Sequence, residues 1–223
     1  YKLRVGNQEN WSMDGFFANN DGFRDKSGYD QQKIKIQSNF SISAWNASLK
    51  ATLTNLNQET AGYVNGLNSY KDEDYSKQNF NPDAYRDANS QRLSLRLTKE
   101  NGNNIDSITP YIRSNDMKFF QHFLPGTPLE ENKHKSIGIV LQRISEYGNF
   151  NLVRGFQIDL AKAELTETQK DNLTTSSAFN NATRPKGKHY DYEVDSLVYA
   201  LFAGVEDYEL NENFNLFADA RAE

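Results

Sequence analysis

Three histidines, a scatter of tyrosines and a set of alternating charges are the side chains of this sequence with chemistry to offer. His122, His134 and His189 stand far apart and lack the close spacing from which a metal site is built, so no metal is expected. Of the three, His122 is best placed to touch a ligand, because Phe119, Phe120 and Phe123 surround it in sequence. The acidic run Asp72-Glu73-Asp74 lacks the alternating ligands and turn glycine of a calcium loop and reads as a solvated loop tip. Tyr63, Tyr70, Tyr75, Tyr85, Arg86, Phe120, Arg184 and Tyr190 fall in stretches without apolar alternation. Aromatic rings give rigid flat area, and tyrosine adds a polar tip. Arginine gives a forked cation. With His122 these residues form the candidate ligand-binding set, suited to a flat, anionic molecule; the competing role for the tyrosines is packing the loops on one another. No Ser/His/Asp grouping, phosphate loop or paired-carboxylate motif stands at a recognisable spacing. Neither enzyme chemistry nor a resident cofactor is expected.

The elements that carry these residues are strands. Trp45, Ala47, Leu49, Ala51 and Leu53 alternate with Asn46, Ser48, Lys50, Thr52 and Thr54, the period-2 signature of a strand with one apolar face. The pattern returns in 33–42, 92–98 and 214–223, and more weakly in 2–6, 11–18, 104–117, 134–145, 150–162 and 191–209. That is about ten strands, several of them long enough for the roughly 9–11 residues a tilted membrane crossing takes. Short polar connections (7–10, 43–44, 101–103, 148–149, 211–213) alternate with long ones (about 19–28, 58–89, 118–133 and 163–190). Transmembrane barrels sort their connections in this way, whereas a sandwich has no reason to. The fold expected is an all-β, antiparallel up-and-down meander, part of a large transmembrane barrel left unclosed. Pro110 lies inside a strand, where a bulge is expected to accommodate it. Arg154 falls on the apolar-facing set and reaches the interface by snorkelling.

Composition agrees with this reading. The chain has 223 residues, a net charge of -5 and no cysteine, which removes a disulfide framework and a thiolate metal site. Without a basic excess, nucleic acid is not an expected partner. Mean hydropathy is -0.81 and no apolar run suits a membrane helix, but a membrane strand needs only alternate apolar residues. Trp45, Leu49, Leu53, Leu93, Leu95, Leu97, Ile137, Ile139 and Leu141 should lie on the outer, convex face against lipid. Lys35, Lys50, Arg92, Arg96, Arg113, Asp159, Asp219 and Arg221 should face a polar lumen, with Arg92, Arg96, Arg113 and Arg221 its forked cations. The sequence opens on strand-like Tyr1–Val5 and closes within Phe214–Glu223, and both ends read as cuts.

Five segments resemble TonB-dependent outer-membrane receptors: Gly22-Phe23-Arg24-Asp25-Lys26-Ser27-Gly28-Tyr29-Asp30-Gln31-Gln32; Asn81-Pro82-Asp83-Ala84-Tyr85-Arg86-Asp87-Ala88; Thr109-Pro110-Tyr111-Ile112-Arg113 followed by His122-Phe123-Leu124-Pro125-Gly126; Pro185-Lys186-Gly187-Lys188-His189-Tyr190-Asp191-Tyr192; and the strand Phe217 to Glu223 with its inward Arg221. The resemblance implies a 22-stranded barrel with a plugged lumen in the cell outer membrane. It also implies TonB-driven import of a scarce nutrient such as a ferric siderophore. Residues 1–223 would then be the first part of that barrel, with the plug and the remaining strands absent. A passive porin-like channel would share the sorted loops without the five segments. A soluble β-sandwich binding module would bury the apolar sets instead.

Overall fold

A computed structural model describes residues 1–7, 10–122, 125–211 and 214–223. Ten strands run in chain order: β1 (Lys2–Asn7), β2 (Trp11–Asn20), β3 (Tyr29–Ile42), β4 (Trp45–Glu59), β5 (Tyr85–Asn101), β6 (Asn104–Phe120), β7 (Pro128–Tyr147), β8 (Phe150–Gln169), β9 (Gly187–Asn211) and β10 (Phe214–Ala222). They form one 10-stranded sheet in the order β1 to β10. Every strand is antiparallel to its sequence neighbours, and the sheet is open: among the described residues β1 and β10 do not pair with each other. Helix is confined to the loops, as α1 (Glu73–Lys77) and α2 (Ala178–Thr183). No helix among the described residues is long and apolar enough to cross a membrane.

The register gathers the alternating residues of separate strands into continuous rows. Val5, Met13, Ile36, Ala51, Leu93, Ile112, Ile137, Leu160 and Leu197 are successive cross-strand partners. Two rungs away, Phe40, Ala47, Leu97, Ile108, Leu141, Phe156, Leu201 and Ala222 form a second row. Leu49, Leu95, Ile139, Ile158 and Tyr199 lie between the two. These side chains meet no second layer. Ile112, Ile137, Leu160, Leu197 and Leu201 are 49% to 65% exposed. Scattered exposed apolar residues are ordinary, but an apolar field continuous across nine strands marks an interaction surface. The buried apolar side chains are few, and Tyr111, Phe119, Val153 and Ala200 among them belong to the opposite, polar face.

The strands are inclined to this field. From Val5 the chain reaches the first short turn almost at once, and β2 begins at Trp11. From Leu197, in the same row, β9 runs on to Asn211 before it turns. The short turns therefore step progressively along the strands, and the apolar field steps with them. Leu53 sets its loop-end border on β4, and Leu160 sets it one rung lower on β8. A barrel acquires the same stagger when its strands tilt by roughly 35–45°.

Several expectations need correction. The strands run past their apolar stretches, with β7 starting at Pro128, β8 ending at Gln169 and β5 starting at Tyr85. The long connections shrink accordingly to 21–28, 60–84, 121–127 and 170–186. The reason is chemical: beyond the apolar field both faces are polar, so the alternation vanishes while backbone pairing continues. Pro110 causes no bulge. Ser94 pairs with Tyr111 and Leu97 with Ile108 in unbroken register, with only the rungs between them missing. The register shifts that do occur lie in β9, opposite Glu167–Thr168 and against β10. Of the expected turn residues, Gln8, Glu9, Glu212 and Asn213 lie outside the described residues, as does Phe123 beside His122.

Candidate functional site

The polar face carries a hydrogen-bonded belt at mid-height. Tyr111 of β6, Gly138 of β7 and Asp159 of β8 are successive cross-strand partners. With no side chain at Gly138, the Tyr111 ring lies across β7 and its hydroxyl donates to the Asp159 carboxylate. A Cβ at position 138 would overlap that ring. Asp159 also accepts from Arg113 Nη2 at 2.6 Å, and Arg113 Nε donates to Ser136 Oγ at 2.8 Å. Gln157 Nε2 donates to the Tyr111 hydroxyl at 2.9 Å, while its Oε1 accepts from Arg221 at 3.2 Å. Phe202 repeats the device over Gly155, its cross-strand partner. The lumen-facing expectation thus meets a structural fact: Arg113 and Arg221 are tied into the sheet. Arg92 is the direct cross-strand neighbour of Arg113 and shares its face. By strand parity Arg96 shares this face too.

A second polar constellation sits at the loop end of the same face. Arg86, Phe119, Glu130, Glu167 and Tyr190 form one lateral row. The Arg86 guanidinium stacks over the Phe119 ring at 4.5 Å, and its Nε is buried without a hydrogen-bond partner. Glu130 accepts from Gln121 Nε2 at 2.7 Å and from Asn132 Nδ2 at 2.9 Å. Glu167 is 4% exposed and meets two partners from the β8–β9 loop and the start of β9. Arg184 Nη1 donates to it at 3.1 Å, and His189 Nδ1 stands 3.1 Å away. His189 Nε2 faces the Pro185 carbonyl at 2.7 Å. This clamp folds the loop end down onto the sheet. Tyr190 remains half exposed and meets the Tyr192 ring edge-on at 6.3 Å.

The expected ligand set is therefore divided. Arg86, Arg184 and Tyr190 converge on the loop-end row. Tyr63 and Tyr70 are 73% and 68% exposed on the 60–84 loop, apart from that row. Tyr75 packs on Phe80, centroids 5.3 Å apart, which is the loop-packing role. Tyr85 and Phe120 are stacked at 6.1 Å and, by strand parity, stand on the apolar side of the sheet. His122 joins the loops: Thr60 Oγ1 is 3.4 Å from its Nδ1, and burial holds its pKa below the ordinary histidine value. Arg24 reaches from the first long loop to the Gly62 carbonyl, and Asp25 N donates to Lys77 O at 3.0 Å. Asp72 of the acidic run caps α1 by accepting from Tyr75 N at 2.9 Å. No cluster of metal-ligating side chains occurs among the described residues. Glu167, Gln121 and the half-buried Glu130 escaped the sequence reading, because nothing marks a polar residue at or beside a polar strand end as covered.

No protein-family profile and no curated sequence matches the chain. Solved structures do match by shape. The ferric citrate transporter FecA, in its unliganded form, aligns over 92% of this chain with a TM-score of 0.66 and 10% identity. The siderophore receptor PiuA from Acinetobacter baumannii aligns over 88% with a TM-score of 0.58 and 10% identity. The ferric-catecholate import receptor Fiu from E. coli K12, in its open form, aligns over 99% with a TM-score of 0.52 and 10% identity. The chain spans 31% of the first, 34% of the second and 51% of the third. At such identity the likeness is one of fold: this chain has the fold of a part of the barrel of these receptors.

Proposed function

We propose that this chain is part of the barrel of an outer-membrane receptor that imports an iron chelate of the ferric siderophore class, using energy delivered by the TonB complex through a plug domain outside residues 1–223. The observation that carries the reading is the two-faced sheet: an apolar field across nine strands, backed by a polar face whose loop end gathers Arg86, Arg184 and Tyr190. The field supports residence in outer-membrane lipid, since a barrel strand shows apolar residues outward and polar residues inward. The three structures similar in shape are all receptors or transporters of iron chelates, which supports the choice of cargo class.

Chemically, the loop-end row offers what a ferric chelate needs. Arg86 presents a cation backed by an aromatic face, and Tyr190 adds flat area with a polar tip. The Arg184 charge is answered by Glu167, so its part is to hold the loop rather than to grip the ligand. The polar belt through Tyr111, Asp159 and Arg113 lies where a plug would rest. The test is radioiron uptake by cells lacking other iron receptors and expressing the full-length protein, offered ferric citrate, catecholate and hydroxamate chelates. Saturable uptake of one class, abolished by a protonophore, is expected. Non-saturable uptake indifferent to the protonophore would make the protein a passive channel.

A further inference from the structure

Toward the short turns the apolar field is bordered by a group of charges. Arg143 of β7 and Arg154 of β8 are direct cross-strand partners on that face, one rung below the Leu141–Phe156 pair. Like charges placed directly opposite destabilise a sheet. Asp106, the cross-strand partner of Arg143 on β6, bonds only one of them directly: Arg143 Nε and Nη2 donate to its two carboxylate oxygens at 2.5 and 2.8 Å, while Arg154 and Lys99, the β5 partner of Asp106, act on that carboxylate through space. Arg154 is exposed and has no ion pair or hydrogen bond among the described residues. Two guanidinium groups and the Lys99 ammonium against one carboxylate leave a net positive charge. The pair borders a depression in the apolar face lined by Trp45, Leu141, Phe156 and Leu201.

We propose that Arg143 and Arg154 hold the phosphodiester headgroup of an anionic membrane phospholipid, in the leaflet at the short-turn end of the strands, while its acyl chains lie in the depression beside them. This rests on the reading of the apolar face as lipid-facing. A forked guanidinium matches phosphate oxygens with paired donors. The position fits as well: both residues lie close in sequence to the Gly148-Asn149 turn, so their stems can run along the apolar surface while their heads reach the interface. An arginine on the lipid face is heavily penalised at mid-depth and hardly at all near the headgroups. The occupant is therefore an amphipath with a negative head, which answers the unpaired charge and the apolar walls together.

The test is native mass spectrometry of the full-length protein in mild detergent, with equal amounts of phosphatidylglycerol and phosphatidylcholine. Preferential retention of phosphatidylglycerol is expected. The double variant Arg143→Gln, Arg154→Gln should lower that retention about thirtyfold, on the scale of two cation contacts at a lipid surface. Asp106→Asn removes the competing carboxylate and should raise retention, an opposite effect that misfolding would not give. Equal retention of the two lipids, or retention unmoved in the double variant, would overturn the proposal. A dimer in the wild type that the double variant splits would assign the depression to a second copy, and overturn it as well. A protein needing detergent yet lacking headgroup preference would remove the lipid site alone. A protein released without detergent would remove the membrane reading too.

Discussion

At the scale of single residues, identity matters through the face on which a side chain lands. Ser94 and Leu95 are adjacent but stand on opposite sides of β5, Leu95 within the apolar field beside Leu49 and Ser94 opposite Tyr111 on the polar face. Leu95→Arg should therefore cost roughly 2–4 kcal/mol near mid-membrane, while Ser94→Arg should cost little. Urea unfolding of the full-length protein in lipid vesicles reads the difference, and equal costs would contradict the assignment of faces. His122 supplies a pH test. Burial lowers its pKa, so the folded state resists protonation more than the unfolded chain. The packing of the loops around it is complete above the ordinary histidine value of roughly 6.5 and weakens as pH falls from there through the lowered value. Hydrogen exchange at 60–62 should accelerate on that acid side in the wild type and show a flat profile in His122→Gln. A flat wild-type profile would deny the coupling.

At the scale of elements, strands divide into a part legible in sequence and a part that is not. Trp45–Leu53 and Leu93–Leu97 alternate because one face of β4 and β5 meets an apolar medium and the other a polar one. Residues 163–169 and 128–133 are equally regular in backbone, but both of their faces are polar, so no period exists there to find. The same blindness hid Glu167, buried where Arg184 and His189 arrive from elsewhere in the chain, and the half-buried Glu130, bonded by Gln121. Arg86 and Tyr190 were legible as loop-border residues, though not their meeting in one row. The 60–84 loop is held to the first long loop by Arg24, Asp25 and the Asn79–Lys26 bond of 2.8 Å, not by the sheet's apolar field. Deleting 64–80 in the full-length protein should weaken chelate binding, by removing most of the exposed loop that leads into the Arg86–Tyr190 row, and leave the barrel folded, because exposed loops tolerate changes in length. Unchanged affinity in equilibrium binding would deny this loop a part in recognition.

At the scale of the whole molecule, the sheet is organised by one requirement, that every strand show its apolar residues to the same side at a level that follows the turns. β7 is 20 residues long and β9 is 25, well beyond the roughly 9–11 residues of a tilted crossing. The surplus lifts the polar loop-end row clear of the apolar field. The most direct test uses the absence of cysteine from residues 1–223, with any cysteine elsewhere in the full-length protein replaced by serine. Single cysteines placed in turn at positions 136, 137 and 139 to 142 of β7, spin-labelled in the full-length protein in lipid vesicles, report contact with oxygen, which partitions into lipid, or with a water-soluble nickel chelate; Gly138 is left in place because a side chain there would overlap the Tyr111 ring. Strict alternation is expected, with positions 137, 139 and 141 open to oxygen and positions 136, 140 and 142 shielded from it. Uniform protection from both probes would mean that the apolar rows pack against protein, and would contradict the lipid-facing barrel.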